Sequence, residues 1–161
     1  MTPAAATMLL GDVHAGDRVA NLAYDVTATT IVLGALAARD WRPMHHDYDF
    51  AVHRNGTQNI FMNTPNQAAW FERYVTDWTG PTGRLGRMKF RMLGSVYPGD
   101  RMVFSASVES VTTDAVGCGW AHLLVTLAVE GETKTHCSVA VALPTSRDDN
   151  PWDRRGEHWL P

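Results

Sequence analysis

From residue 87 onward the chain repeats one pattern, an apolar side chain at every second position. Met88, Phe90 and Met92 alternate with Arg87, Lys89 and Arg91. Met102, Phe104, Ala106 and Val108 form the next run, and Ala121, Leu123, Val125, Leu127 and Val129 a longer one. Thr135, Cys137, Val139 and Val141 close the series before Pro144. Successive side chains of a strand point to opposite faces, so each run presents one face to a core. Tyr97-Pro98-Gly99-Asp100 and Glu130-Gly131-Glu132-Thr133 are turn sequences between runs. The pattern predicts three or four long antiparallel strands whose shared apolar face needs a second layer.

The element to supply that layer lies just upstream. Thr64 to Trp78 is the strongest helical stretch, with Phe71, Val75 and Trp78 in one stripe flanked by Trp70 and Tyr74. Thr64-Pro65-Asn66-Gln67 predicts a capping box, with Thr64 as N-cap, Pro65 at the first helical position and Gln67 reaching back. Gly80-Pro81 stops the helix. Earlier, Leu22, Tyr24 and Val26 alternate with Ala23 and Asp25 in a strand predicted from Gly16 to Thr27. Thr29 to Ala38 reads as a short helix capped by Thr27 or Thr29, with Ile31, Ala35 and Ala38 on one face. Asp47 to Ala51 predicts one further helical turn, and residues 53–58 a polar loop. This order predicts an α+β domain in which an antiparallel sheet wraps around one long central helix. Residues 16–144 make up that domain. Residues 1–15 read as a tail, and residues 145–161 as a polar tail that packs on a neighbour or stays loose, with Trp152 and Trp159 its large apolar side chains.

At 161 residues the chain is long enough to bury a core of its own. A net charge of -3 argues against general nucleic-acid binding. No apolar run approaches the ~20 residues of a membrane span. Met1 to Leu10 has no basic leader, so no signal peptide is expected. Cys118 and Cys137 stand far apart, which argues against a disulfide framework, leaves a single bridge open and fits reduced thiols in a cytoplasmic protein.

The chemistry concentrates in residues 39–51, Arg-Asp-Trp-Arg-Pro-Met-His-His-Asp-Tyr-Asp-Phe-Ala. Asp40 and His45 lie five residues apart with Pro43 between them. Proline keeps this stretch off a regular helix, so the two side chains sit on a stiff, bent loop. A carboxylate and an imidazole so held can grip one water and move its protons. A plain structural alternative has Asp40 pairing with Arg42 and His45 packing. His45-His46-Asp47 with His53 raises a metal, but adjacent histidines point apart and no second ligand cluster follows, so no metal site is expected.

The stretch resembles the hydratase motif of the MaoC-like dehydratases, the (R)-specific enoyl-CoA hydratases of the hot-dog superfamily. That pattern runs roughly Gly-Asp-x-Asn-Pro-aliphatic-His, with a small residue six positions on. The chain keeps Asp40, Pro43, Met44, His45 and Ala51, and Asp47 and Phe50 also match. Arg39 stands where glycine is usual and Arg42 where asparagine is usual. Val96-Tyr97-Pro98-Gly99-Asp100 and Glu130-Gly131-Glu132 resemble the family's proline-glycine-aspartate turn and final hairpin, so the resemblance runs through most of residues 16–144.

The resemblance implies the hot-dog fold and the reversible addition of water to an enoyl thioester, with Asp40 and His45 transferring the protons. It implies that a backbone N–H holds the thioester oxygen, at Asn63 where the family has glycine or at Thr64 beside it. Arg84, Arg87, Lys89 and Arg91 are candidates for the coenzyme A phosphates, and equally a solvated strand face. No metal or redox cofactor is implied; coenzyme A comes as part of the acyl-CoA substrate. Family members act as hot-dog pairs joined edge to edge with the cleft at the seam. A homodimer is the default, and a heteromer with another hot-dog subunit, as in relatives acting on steroid side chains, stays open. No nucleic acid or membrane partner is implied. Two other readings stand beside this one. A hot-dog thioesterase would need a carboxylate on the long helix, where Glu72 and Asp77 both lie past the first turn. A non-catalytic or partly catalytic subunit would shape a neighbour's pocket, a reading kept open by Arg39, Arg42 and Asn63.

Overall fold

The computed structural model describes residues 8–161; the expectations for the first seven residues of the N-terminal tail lie outside it. Strand β1 (Arg18–Asp25) leads into helix α1 (Ala28–Ala37), a short helix α2 (Tyr48–His53) and the long helix α3 (Thr64–Thr79). Strands β2 (Arg84–Met92), β3 (Arg101–Thr113), β4 (Gly119–Val129) and β5 (Glu132–Leu143) follow. The five strands form one sheet in the order β1-β3-β4-β5-β2, antiparallel at every pairing.

Both edges of this sheet reach the same helix. Tyr74 of α3 donates its hydroxyl to the Val19 carbonyl of β1 at 3.4 Å, and Trp70 packs on Tyr24 at 4.4 Å. On the other side, Phe71 meets Phe90 of β2 at 5.3 Å and Phe104 of β3 at 5.0 Å. Five strands at ~4.8 Å spacing are wider than one helix of ~10 Å diameter, so the sheet must curl to make all these contacts. The predicted wrapping of sheet around helix is therefore present. Its core is the alternate positions read from the sequence: Met102, Phe104, Leu123, Val125, Leu127 and Val141 are all buried.

Local chemistry shifts several boundaries. Glu130 and Gly131 both have positive φ (51° and 80°), as a two-residue hairpin turn of the favoured twist requires, so Val129 pairs with Glu132 and β5 starts three residues before Thr135. Thr27 caps α1, accepting from the Thr30 N–H at 3.1 Å. Helix α2 extends to His53 and takes in the start of the predicted polar loop.

Helix α3 is capped one residue earlier than predicted. The N-cap is Asn63, whose side chain accepts from the Asn66 N–H at 3.2 Å. Asparagine is a stronger N-cap than threonine, and with the cap at residue 63 the third helical position is Asn66, which leaves Gln67 one residue past the place from which a side chain reaches back. Instead Gln67 is buried and accepts the Thr135 hydroxyl of β5 at 2.8 Å.

The chain ends pack onto the sheet. Leu10 donates its N–H to the Pro144 carbonyl at 2.8 Å. Residues 145–161 fold back over the outer face, where Trp159 stacks on Trp120 at 5.1 Å and Trp152 donates to the Gly83 carbonyl at 3.2 Å.

Helix α1 lies on α3 at Gly34. The Asn66 amide donates to the Thr30 carbonyl of α1 at 3.1 Å, and a Cβ built on Gly34 would lie 2.0 Å from that same amide. Gly34→Ala should therefore destabilise the protein by about 1–3 kcal/mol, as overpacking does. Thermal melts should show the midpoint falling by roughly 2–4 °C per kcal/mol.

Candidate active site

Helix α1 ends in a way that fixes Asp40. The Arg39 N–H donates to the Leu36 carbonyl (3.0 Å) and the Asp40 N–H to the Ala35 carbonyl (2.9 Å), a paired closure with Arg39 at φ 53°. This left-handed position favours glycine, which gives a physical reason for the glycine usual at this place in the motif. Arg42 then runs extended before Pro43, as the residue before a proline prefers. Residues Pro43–His45 form a single 3₁₀ turn that swings the imidazole inward. Asp47 starts α2, accepting from the Phe50 N–H at 3.0 Å.

Asp40 and His45 are brought together. His45 Nε2 lies 3.5 Å from Asp40 Oδ2, with the two side chains 5% and 17% exposed. The other ring nitrogen, Nδ1, is 2.8 Å from the Phe61 carbonyl. A carbonyl only accepts, so Nδ1 carries the proton, and in the neutral ring Nε2 presents a lone pair toward Asp40. Asn63 Nδ2 donates to Asp40 Oδ2 at 3.0 Å. The Arg42 N–H donates to Oδ1 at 3.3 Å, and the exposed Arg42 guanidinium stands 3.9 Å from that oxygen. The Asn63 hydrogen bond is the leading influence holding the Asp40 carboxyl below its ordinary 3.8; burial pushes the other way, and Arg42 and, in its protonated form, His45 add to the lowering.

These residues open onto a cleft of about 1120 Å³, whose walls include Trp41, Met44, Phe61, Met62 and Met92. Asn63 and Thr64 line it at the N-terminus of α3. The first N–H groups of a helix have no partner within it and lie at its positive end. Asp40, His45, Asn63 and Thr64 thus share one cleft. Arg84, Arg87, Lys89 and Arg91 do not line it. Arg84 lies over the Trp159 ring at 3.6 Å and donates to the Pro151 and Arg154 carbonyls, while Arg87 donates to the Pro161 carbonyl. Lys89 and Arg91 are exposed on the outer side of β2. The cations on the cleft are Arg39 and Arg42.

Two contributors had no signal in the sequence. The Phe61 carbonyl sets the His45 tautomer, and a backbone carbonyl looks alike in every residue. The Asn63 side chain reaches Asp40 across 23 positions. Among the described residues no three His, Cys, Asp or Glu side chains gather as metal ligands would, and no helix is long and apolar enough to cross a membrane. Cys118 and Cys137 are unbridged and buried; burial pushes both thiols up, Cys137 to about 12, which keeps them from acting as nucleophiles near neutral pH.

Over 83 residues the chain is 40% identical to the 3-oxo-4,17-pregnadiene-20-carboxyl-CoA hydratase beta subunit of Mycobacterium tuberculosis, a match spanning 52% of this chain and 64% of that subunit. Its fold matches a chain of the ChsH1–ChsH2 complex from Mycobacterium tuberculosis with a TM-score of 0.73 and 29% identity, over 80% of this chain and 97% of that one. It also matches a MaoC-like dehydratase from Rhodospirillum rubrum with a TM-score of 0.72 and 20% identity, over 84% of this chain and 96% of that one. No family model matches the sequence.

Two outcomes follow from the geometry around Asp40. Arg39→Gly relieves a left-handed residue and should stabilise the protein by about 0.5–1 kcal/mol, seen as a higher melting midpoint. Asp40 has a lower pKa folded than unfolded, so its contribution to stability is present above pH 3.8 and is lost as pH falls through the folded value. Asp40→Asn should therefore lose less stability than wild type when denaturant midpoints at pH 6 and pH 3 are compared.

Proposed function

We propose that this chain, a member of the MaoC-like hot-dog proteins, is an enoyl-CoA hydratase in which Asp40 and His45 work on one water. The observation that carries this reading is a pair of acceptors, Asp40 Oδ2 and the Nε2 lone pair of His45, 3.5 Å apart on the wall of a cleft. Two acceptors at that distance call for a molecule that donates twice, and water is the smallest. Its oxygen bonds to the β-carbon of the enoyl thioester as one of its protons passes to the pair. The pair returns one proton to the α-carbon, so water has added across the double bond and the dyad regains its starting state. Negative charge gathers on the thioester oxygen during the attack, and the N–H groups of Asn63 and Thr64 are the donors for it. Coenzyme A takes part only as the carrier of the acyl group.

The substrate class follows from the walls and from the relative. Trp41, Met44, Phe61, Met62 and Met92 offer a broad apolar surface, and the relative is named for a pregnadiene carboxyl-CoA. We therefore assign a bulky, steroid-sized enoyl group. A heteromer with a second hot-dog subunit is the assembly we favour, since that relative is a beta subunit and the solved neighbour is a complex. Strand β2 supports it: it is an edge of the sheet, and its last residue, Met92, lines the cleft. A partner strand there would wall the open side. The thioesterase alternative finds little support, because Glu72 and Asp77 are exposed and outside the cleft, with Asp77 paired to Arg73.

The test follows loss of the conjugated enoyl absorbance with trans-2-enoyl-CoAs from short chains to steroid-sized, for the chain alone and with a co-expressed second hot-dog subunit. Wild type should be most active on the largest. Asp40→Asn and His45→Ala should each lose about 10²–10⁴ in rate while keeping wild-type circular dichroism. Activity only in the presence of the second subunit would establish the heteromer. No turnover in either form would remove the hydratase reading.

A further inference from the structure

We infer that the side chain of Asn63 is a positioning residue for Asp40, locking the carboxylate to the first turn of α3 so that its Oδ2 atom faces His45. The inference rests on the hydration reading of this cleft and adds a role distinct from that of the Asn63 backbone N–H.

Asn63 is 2% exposed, and both ends of its carboxamide are used. Oδ1 accepts from the Asn66 N–H at 3.2 Å and caps α3. Nδ2 donates to Asp40 Oδ2 at 3.0 Å. The partners leave one orientation: an amide N–H only donates and an ionised carboxylate only accepts, so a flipped carboxamide would face both wrongly. The oxygen that Asn63 holds is the one 3.5 Å from His45 Nε2. One lone pair of Oδ2 is thus taken, and the other stays free for the water shared with the imidazole.

The other carboxylate oxygen is subject to a rival pull. Oδ1 accepts the Arg42 N–H at 3.3 Å, and the Arg42 guanidinium stands 3.9 Å away. Without Asn63, the charged side chain of Arg42 is free to draw the carboxylate round toward the cleft mouth and away from His45. Glycine at position 63 would offer only a backbone N–H. Asparagine keeps that N–H and adds a side-chain donor on the carboxylate. The same hydrogen bond keeps Asp40 ionised further into acid, the form that can take a proton from water.

The test uses two variants of the full chain, each with a cap oxygen but neither with the amide donor: Asn63→Ser, whose hydroxyl is too short to span both contacts, and Asn63→Asp, which caps as well as asparagine. Melting midpoints report the helix. The Asp40 carboxyl is titrated by carbon NMR, assigned with Asp40→Asn, and pH profiles of kcat and KM are taken on the best enoyl-CoA. Both variants should keep wild-type circular dichroism and melt below wild type near neutral pH, Asn63→Asp the lower of the two, because a raised Asp40 titration is itself lost stability. The Asp40 titration should rise in Asn63→Ser and further in Asn63→Asp, where a second carboxylate repels the first. The acid limb of kcat should move with it, and kcat should fall about ten- to hundredfold with KM changed less. An unmoved Asp40 titration in both folded variants would overturn the inference and leave Asn63 a helix cap alone. The NMR arm needs no turnover, so a shifted titration in a protein that hydrates nothing would keep the positioning role while removing the hydratase reading.

Discussion

The approach of α1 to α3 over Gly34 is the contact on which the site depends. With no side chain at residue 34, the Asn66 amide reaches past it to the Thr30 carbonyl. That contact fixes α1, through Thr30 and Gly34, against the N-terminus of α3. Asp40 follows the C-terminal end of α1 and Asn63 begins α3, and they meet at 3.0 Å although 23 positions separate them. Asp40, His45 and the N-terminus of α3 then share one wall of the cleft because two helix ends share one place.

Within that wall, the charge is controlled by short, directed contacts. Two donors, Asn63 Nδ2 and the Arg42 N–H, bind one oxygen each of Asp40, and the Phe61 carbonyl holds one nitrogen of His45. Each contact assigns one atom a fixed role and leaves its neighbour available. Arg42 bears on this balance through its guanidinium, which is mostly exposed and so screened by solvent. Preorganised donors of this kind lower the cost of charge rearrangement more than a distant exposed cation does.

The outer face of the sheet is organised separately. Arg84 is held between the Trp159 ring and two backbone carbonyls, and Arg87 meets the Pro161 carbonyl. The C-terminal segment thus engages half of the basic row on β2 and fastens it over Trp120. Strand alternation puts Arg87, Lys89 and Arg91 on the side away from the core, and the register shift between Leu85 and Arg87 turns Arg84 to that same side. Phe90 of β2 packs inward on Phe71, which sends Lys89 and Arg91 to the other side.

The amino-acid sequence by itself determined the elements and their inward faces. Period-two runs, the Glu130-Gly131 turn and the stripe on α3 are local signals, fixed by backbone sterics and side-chain alternation within a few residues. The Asp40–His45 pair was legible for the same reason, since one short proline-stiffened loop carries both. Local signals failed where two groups compete for one role: Asn63 outranked Thr64 as the cap, which moved Gln67 off the reach-back position and left it to Thr135. Only the tertiary structure decided that the Asn63 side chain serves Asp40, that Phe61 sets the imidazole, and that Arg39 and Arg42 line the cleft in place of the basic row on β2. Those contacts join residues from separate elements, and their partners exist only once the sheet has closed around α3 and brought the helix ends together.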